Sequence, residues 1–307
     1  MVDGRLDDAA RALRGLALGD AFGEGYFLPE EQARRAIADR VLTRAPWRWT
    51  DDTEMALSVV EVLAEHGRID QDALVTAFVH RHDPSRGYGP SVERMLRAVA
   101  AGADWRELAG AQFGGEGSHG NGAAMRVAPL GAFFSADLDR AAEEAARSAV
   151  VTHTHPEAIN GAVAVALAAA LAVRGRDAAA PQPREFLTRI AARLDRSTVR
   201  GRLEEAARLA PDTVPAHAAA VLGNGSALSA QDTVPFALWS AAGHLDDLTE
   251  ALWATVAGLG DRDTTCAIAA GVVAARSGMR GVPREWPAAC EELPSWSTAG
   301  EDGVGTA

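Results

Sequence analysis

The sequence predicts an all-α fold, and three observations carry that prediction. Apolar residues recur at helical spacing along most of the chain, as in Met55, Val59, Val62 and Leu63 ahead of a terminating Gly67. Alternating runs rich in Val, Ile, Thr and aromatics are nearly absent, and only short pieces such as 41–43 suit a strand. No block repeats at a period of about 20–50 residues, which argues against a solenoid.

The elements follow in order. A first helical stretch covers residues 6–18, and the polar run Thr50–Glu54 opens a second over 55–66. Residues 71–79, 91–101 and 138–151 carry the same spacing. Pro156 suits the first position of the next helix, Pro156–Arg174. Residues 184–194, 234–242, 246–259 and 264–277 complete the set. Residues 176–184, with Pro181 and Pro183, and residues 210–214 read as loops too short to divide the chain. The expectation is one helical domain over residues 1–296 and a frayed tail rich in Gly, Ser, Thr and acids over 297–307.

Composition narrows the function. Of 307 residues, 42 are acidic and 30 basic, and every basic residue is Arg. Without Lys there is no Schiff-base or P-loop lysine. A net charge of -12 argues against a stable nucleic-acid binder, which needs a basic face. Cys266 and Cys290 are too few for a disulfide framework or a cysteine zinc site, and they fit a reducing compartment. The chain opens into charge rather than an apolar run. Its longest apolar run, 161–173, falls short of the roughly 20 residues a membrane span needs. A cytoplasmic, monomeric protein with no membrane contact is expected.

Two polar clusters stand where apolar helices begin. One is Thr50-Asp51-Asp52-Thr53-Glu54, the other Asp261-Arg262-Asp263-Thr264-Thr265. Capping is one reading, with Asp51 and Glu54 as a capping box and Asp261 with Thr264 serving the second helix. A cap, however, uses one oxygen acceptor, and each cluster carries two or three carboxylates that would repel one another. A shared hard cation explains them better, since such ions take carboxylate and hydroxyl oxygens.

Between these clusters, residues 114–122 hold five glycines in nine positions and expose backbone N–H groups, as phosphate loops do and as plain turns also do. His153 and His155 precede Pro156 without a third nitrogen or sulfur ligand nearby. They read either as substrate contacts or as a helix cap and a core histidine.

Five segments in this order resemble the ADP-ribosylglycohydrolase family, which includes dinitrogenase reductase-activating glycohydrolase and the ADP-ribosyl-acceptor hydrolases. They are Arg14-Gly15-Leu16-Ala17-Leu18-Gly19-Asp20-Ala21-Phe22-Gly23, Trp49-Thr50-Asp51-Asp52-Thr53, and the run from Gly120 through Arg126 to Gly131. Thr152-His153-Thr154-His155-Pro156 and Asp261-Arg262-Asp263-Thr264 close the series. The resemblance implies an orthogonal helical bundle with two divalent cations, Mg²⁺ or Mn²⁺. Carried over by position, Thr50, Asp51, Asp52, Asp261, Asp263 and Thr264 would hold them, beside the hydroxyls of the distal ribose. Gly120, Asn121, Gly122 and Met125 would cradle the diphosphate, with His153 and His155 close by. Tyr88, in the less specific segment Asp83–Gly89, would border the site.

The implied reaction cleaves the glycosidic bond between ADP-ribose and an acceptor on a protein, nucleic acid or small molecule. Carboxylates stabilise the positive charge that builds on the anomeric carbon, and Asp51 or Asp52 would assist proton transfer. One departure matters. Many members carry a catalytic Glu four residues after the glycine of Gly-Asp-Ala-Leu-Gly, and here Phe27 occupies that place. Glu24, three positions earlier, is the candidate substitute; the alternative is an exposed charge in a helix-ending turn. Arg262 replaces a small residue and is expected to point to solvent. Two other readings use the same residues: a hydrolase of a related nucleotide-sugar, or a non-catalytic ADP-ribose-binding relative.

Overall fold

The computed structural model describes residues 2–297 and contains sixteen α-helices joined by loops and short 3₁₀ turns. They run α1 (Val2–Glu24), α2 (Glu30–Ala38), α3 (Asp51–His66), α4 (Gln71–Arg81), α5 (Pro90–Ala100) and α6 (Trp105–Ala111). Then come α7 (Ala128–Phe133), α8 (Leu138–Val150), α9 (Pro156–Arg174), α10 (Pro183–Ala191) and α11 (Thr198–Ala206). The last are α12 (Pro215–Leu222), α13 (Ala230–Gly243), α14 (Leu248–Val256), α15 (Arg262–Ser277) and α16 (Glu285–Ala289). Among the described residues there is no strand; residues 41–43 run as open chain. Two isolated bridges join Trp47 to Cys290 and Gly120 to Ser229.

The helices begin where side chains satisfy free N–H groups. Asp70, Asp104, Asp137, Ser197 and Asp247 each accept from a backbone N–H in the first turn that follows. Gly67 ends α3 in the left-handed conformation (φ 65°), as its place in the sequence predicts. Helices α2, α6, α7, α11, α12 and α16 fall outside the stretches read from periodicity. Each spans nine residues or fewer, so too few turns display an apolar stripe.

An antiparallel pair, α1 and α15, forms the spine. Gly15, Gly19 and Gly23 line one face of α1, and α15 presses so close that no Cβ fits there. A methyl on Gly19 would lie 2.3 Å from the Cys266 carbonyl oxygen, and one on Gly23 2.2 Å from that of Arg262. This contact fixes what the helices carry: the C-terminal end of α1 meets the N-terminal end of α15. The apolar helix α9, the one described helix long and apolar enough to span a membrane, is mostly buried in the core. Phe22, stacked on Trp286 at 5.0 Å, packs with Tyr26, Trp47 and Trp253 under the same end of the spine.

Both cysteines are free thiols, Cys266 buried against α1 and Cys290 half-buried. Of the tail expected over 297–307, Ser297 is buried in a 3₁₀ turn; residues 298–307 lie outside the described residues.

Candidate active site

Asp20, near the end of α1, is the anchor. Its wholly buried carboxylate accepts from Thr50 N (2.9 Å), Thr53 N (3.1 Å) and Thr53 Oγ1 (2.5 Å), which pins the start of α3 against α1. Burial outweighs these bonds and raises its pKa to about 6. The Gly19-Asp20 pair stands in the first family-like segment, but sequence alone assigns Asp20 no task, because its partners lie thirty residues away.

Thr50 caps α3: its Oγ1 accepts from Asp52 N (3.3 Å) and donates to Asp52 Oδ2 (3.2 Å). Asp51 and Glu54 do not form the capping box that their spacing allows. Glu54 turns away and accepts from Asp83 N (2.8 Å), holding the loop that precedes α5. At α15, Asp261 occupies the N-cap position without a side-chain capping bond, and its Oδ2 accepts from Asn121 Nδ2 at 2.6 Å. Capping therefore leaves most of these carboxylate oxygens unused.

The two clusters, about 210 residues apart in sequence, act on each other electrostatically. Burial raises the Asp51 pKa to about 8, helped by the charges of Asp20, Asp261 and Glu54. Asp52 is pushed well above the carboxylate range by burial and then by Asp263, Asp20, Asp51 and Asp261. Asp263 moves the same way through burial, Asp261 and Asp20. Asp261 is raised by burial, partly offset by its hydrogen bonds.

Asp52 Oδ1 and Asp263 Oδ1 are buried without a hydrogen-bond partner. Repelled carboxylates, orphaned oxygens and the Thr50 and Thr264 hydroxyls are the donors a hard divalent cation takes. Among the described residues no three carboxylate, imidazole or thiol groups already close on one point. The fit therefore rests on donor chemistry and on the two orphaned oxygens.

A cavity of about 320 Å³ opens beside these groups, lined by Thr50, Asp51, Asp263 and, at its mouth, by Glu24, Phe27 and Arg86. Glu24 is the last residue of α1, exposed to the cavity; desolvation and the charges of Asp20 and Asp261 raise its pKa. Arg86 stacks 3.4 Å over the Trp49 ring, donates to the Trp49 carbonyl (2.9 Å) and forks onto both oxygens of Glu291 at 2.7 Å. It thereby ties the loop 83–89 and the C-terminal segment to the backbone just before Thr50. Tyr88, in the same loop, is buried edge-on to His82 at 4.7 Å. Arg262 does not point to solvent. It is buried, donates to the Tyr26 carbonyl at 3.0 Å and lies 5.2 Å from the Phe27 ring, so it shapes the turn where the family Glu would stand.

The glycine loop flanks the other side. Asn121 links it to Asp261, and a side chain at Gly120 or Gly122 would strike His153, 3.1 and 2.9 Å away. His153 is buried and hydrogen-bonded to Thr152 Oγ1 at 2.7 Å; burial drives its pKa to about 3, so it is neutral. His155 caps α9, its Nδ1 accepting from Glu157 N at 3.1 Å. The core-and-cap reading of this pair is thus what the geometry displays. Met125 is buried beneath the loop.

Gly120 N and Asn121 N donate to Ser118 Oγ and the Leu228 carbonyl, so the loop offers fewer free donors than its glycine count suggests. Two features have no clear sequence signal. Arg126 is entirely buried, bonded to the Ser148 carbonyl and Thr152 Oγ1. The rings of Phe113, His119 and His155 line up at successive centroid distances of 5.6 Å along the loop, with Phe113 exposed at φ 50°.

Fold and site together define a helical protein built around an oxygen-rich centre beside a glycine loop. Residues 1–303 match the family model described as ADP-ribosylglycohydrolase, and the chain belongs to that family. It is 27% identical over 320 residues to ADP-ribosylhydrolase ARH3 of Homo sapiens, across 91% of this chain and 88% of that one. ADP-ribosylarginine hydrolase Tri1 of Pseudomonas putida is 34% identical over 183 residues, 56% of this chain and 48% of that protein. A solved structure described as an ADP-ribosylglycohydrolase-related protein complex superposes with a TM-score of 0.65 at 26% identity, covering 94% and 93% of the two chains.

Proposed function

We propose that the protein is a cytoplasmic hydrolase that releases ADP-ribose from an acceptor and depends on two divalent cations, Mg²⁺ or Mn²⁺. The observation that carries the metal dependence is the mutual repulsion of Asp51, Asp52, Asp261 and Asp263 together with the buried, unpartnered oxygens of Asp52 and Asp263. With Thr50 and Thr264 these residues would hold the ions. Bound there, the ions supply orientation of the ribose hydroxyls and acidification of a water.

The chain's own groups do the rest. Held ionised by the cations, Asp51 and Asp52 would oppose the positive charge developing at the anomeric carbon. Asn121 fixes Asp261, and Gly120, Gly122 and Met125 bring backbone close to the diphosphate, with His153 holding that loop from beneath. Tyr88 supports the loop opposite. Glu24, with a raised pKa beside the cavity, gives its proton to the acceptor atom as that atom leaves the anomeric carbon; water adds to the carbon and its proton restores the carboxylic acid. Glu24→Gln is expected to lower kcat about 10²-fold with metal affinity unchanged. Full kcat in that variant would return proton transfer to Asp51 and Asp52.

The exposed Phe113 ring beside His119 is a platform for the adenine base. Phe113→Ala should raise KM about tenfold and leave kcat in place, the usual worth of one base stacked on one ring. An unchanged KM would remove the base from this position.

The test of the whole reading is release of ADP-ribose, followed by chromatography, from ADP-ribosylated arginine, serine and nucleic-acid substrates with Mg²⁺, Mn²⁺ or EDTA. Release that EDTA abolishes is expected. No release from any substrate, alongside ADP-ribose binding by calorimetry, would make the protein a binding relative.

A further inference from the structure

We propose that a second cavity, continuing the active site past Glu24, receives the acceptor, and that it fits a peptide. That peptide presents an aliphatic or aromatic side chain, followed by a carboxylate, next to the ADP-ribosylated residue. The inference rests on the hydrolase reading above and adds the acceptor's chemistry.

The first observation is where apolar surface remains uncovered. The large hydrophobics that stay exposed among the described residues are Phe27, Val41, Leu42, Phe113, Val214, Leu228 and Trp296. Phe27 lines the carboxylate cavity itself, and four others stand on segments beside it, on two sides. Phe113 and Leu228 flank the glycine loop, whose Asn121 N donates to the Leu228 carbonyl. Phe27 (48% exposed), Val41 (55%) and Leu42 (37%) stand on the opposite side, around Glu24. Exposed apolar groups gathered at a catalytic mouth mark a ligand surface rather than chance.

The second observation is continuity. A cavity of about 510 Å³ has apolar walls from Ala21, Leu28, Val41, Leu42 and Trp47. Glu24 and Arg48 line both this cavity and the 320 Å³ cavity at the carboxylates, so the two share a wall. The order of the substrate then follows. The nucleotide end lies along the glycine loop, and the anomeric carbon lies at Asp51 and Asp263. Whatever is bonded to that carbon leaves on the Glu24 side, toward the apolar walls.

The third observation is charge. Arg44 lines this cavity, exposed and without an ion pair among the described residues; Arg48 makes one long ion pair among them, with Glu291 at 3.9 Å, and also acts on Asp83 electrostatically. Guanidinium groups beside an apolar trough in a chain of net charge -12 suit a peptide carboxylate. They do not suit a nucleic-acid end, whose backbone would face that net charge with few cations to neutralise it.

The experiment compares kcat/KM, with Mg²⁺, for three substrates of the same linkage and for 5′-ADP-ribosylated DNA. The three are an ADP-ribosylated single amino acid, a peptide with Leu and Asp following the modified residue, and a peptide with Ser and Lys there. The Leu-Asp peptide is expected to exceed both others about tenfold, the worth of burying one aliphatic side chain. Leu42→Ser with Arg44→Glu, both exposed positions, should erase that advantage and leave the single amino acid unchanged. Equal rates on all three, equal losses on all three in the variant, or preference for DNA would each overturn the inference. Turnover of the single amino acid reports separately on the hydrolase reading: its absence with every substrate overturns both.

Discussion

Exchanging Asp52 for Asn is expected to cut turnover about 10³-fold and, in the same protein, to raise the melting temperature of the metal-free form. Both effects have one cause. Asp52 is buried among Asp263, Asp20, Asp51 and Asp261, which together with desolvation hold its pKa far above the usual range. The carboxylate is costly to the fold, and in the proposed function a cation and a cationic transition state are what it serves. Asn matches its shape and still accepts from Thr50, so helical content is retained while the cost of burying this carboxyl in its protonated form disappears. Loss of a single preorganised electrostatic partner costs about 10²–10³ in kcat, and loss of a metal ligand adds to that.

Removing that cost should raise Tm by roughly 3–6 °C. Asp263→Ala should abolish turnover and weaken metal binding in the same way. Calorimetry with Mn²⁺, thermal melts in EDTA and a turnover assay read all three quantities. Full activity in either variant would sink the two-metal assignment; an unchanged or lower metal-free Tm for Asp52→Asn would make Asp52 a structural residue.

The second large effect is a pH dependence of stability that metal reverses. Asp20, Glu54 and Asp51 have pKa values of about 6, 7 and 8 in the fold, raised chiefly by burial. In the unfolded chain they titrate near ~4. A carboxyl whose pKa is raised binds more protons folded than unfolded, so stability falls as pH climbs from about 4 to about 8 and levels off above. Tm in EDTA is expected to drop by roughly 5–10 °C between pH 5 and pH 8. Saturating Mg²⁺ or Mn²⁺ binds the ionised carboxylates, so the stabilisation by metal should grow over the same window and be largest near pH 8. A flat EDTA profile, or a metal effect independent of pH, would remove the mutual repulsion on which the centre is argued.

Much of the site is readable from residues alone because its parts are local. Thr50-Asp51-Asp52 and Asp261-Arg262-Asp263-Thr264 each show more carboxylates than a helix start can use, and α3 and α15 do begin there. The glycine loop and the His153–Pro156 run are also contiguous, and Gly120 and Gly122 pack against His153. What sequence misreads is set by partners distant in the chain. Glu54 has the spacing of a capping-box residue, but the Asp83 N–H, twenty-nine residues on, captures it. Arg262 looks like a surface arginine; the Tyr26 carbonyl and Phe27 ring bury it. Helices α2, α11 and α12 complete fewer than three turns, so their stability comes from packing rather than from a visible stripe.

By itself the sequence determined the helical class, the places where the long helices start and the oxygen-rich identity of the two clusters, because propensity, periodicity and side-chain chemistry are properties of neighbouring residues. Only the tertiary structure decided that Gly15, Gly19 and Gly23 face α15 too closely for any side chain, that Asp20 fastens α3 to that spine, and that the apolar cavity beside Glu24 shares Glu24 and Arg48 with the carboxylate-lined one. The physical reason is close packing. Where backbones can touch decides which carboxylates are brought near one another, and that depends on surfaces some 240 residues apart in the chain, from Gly23 to Arg262.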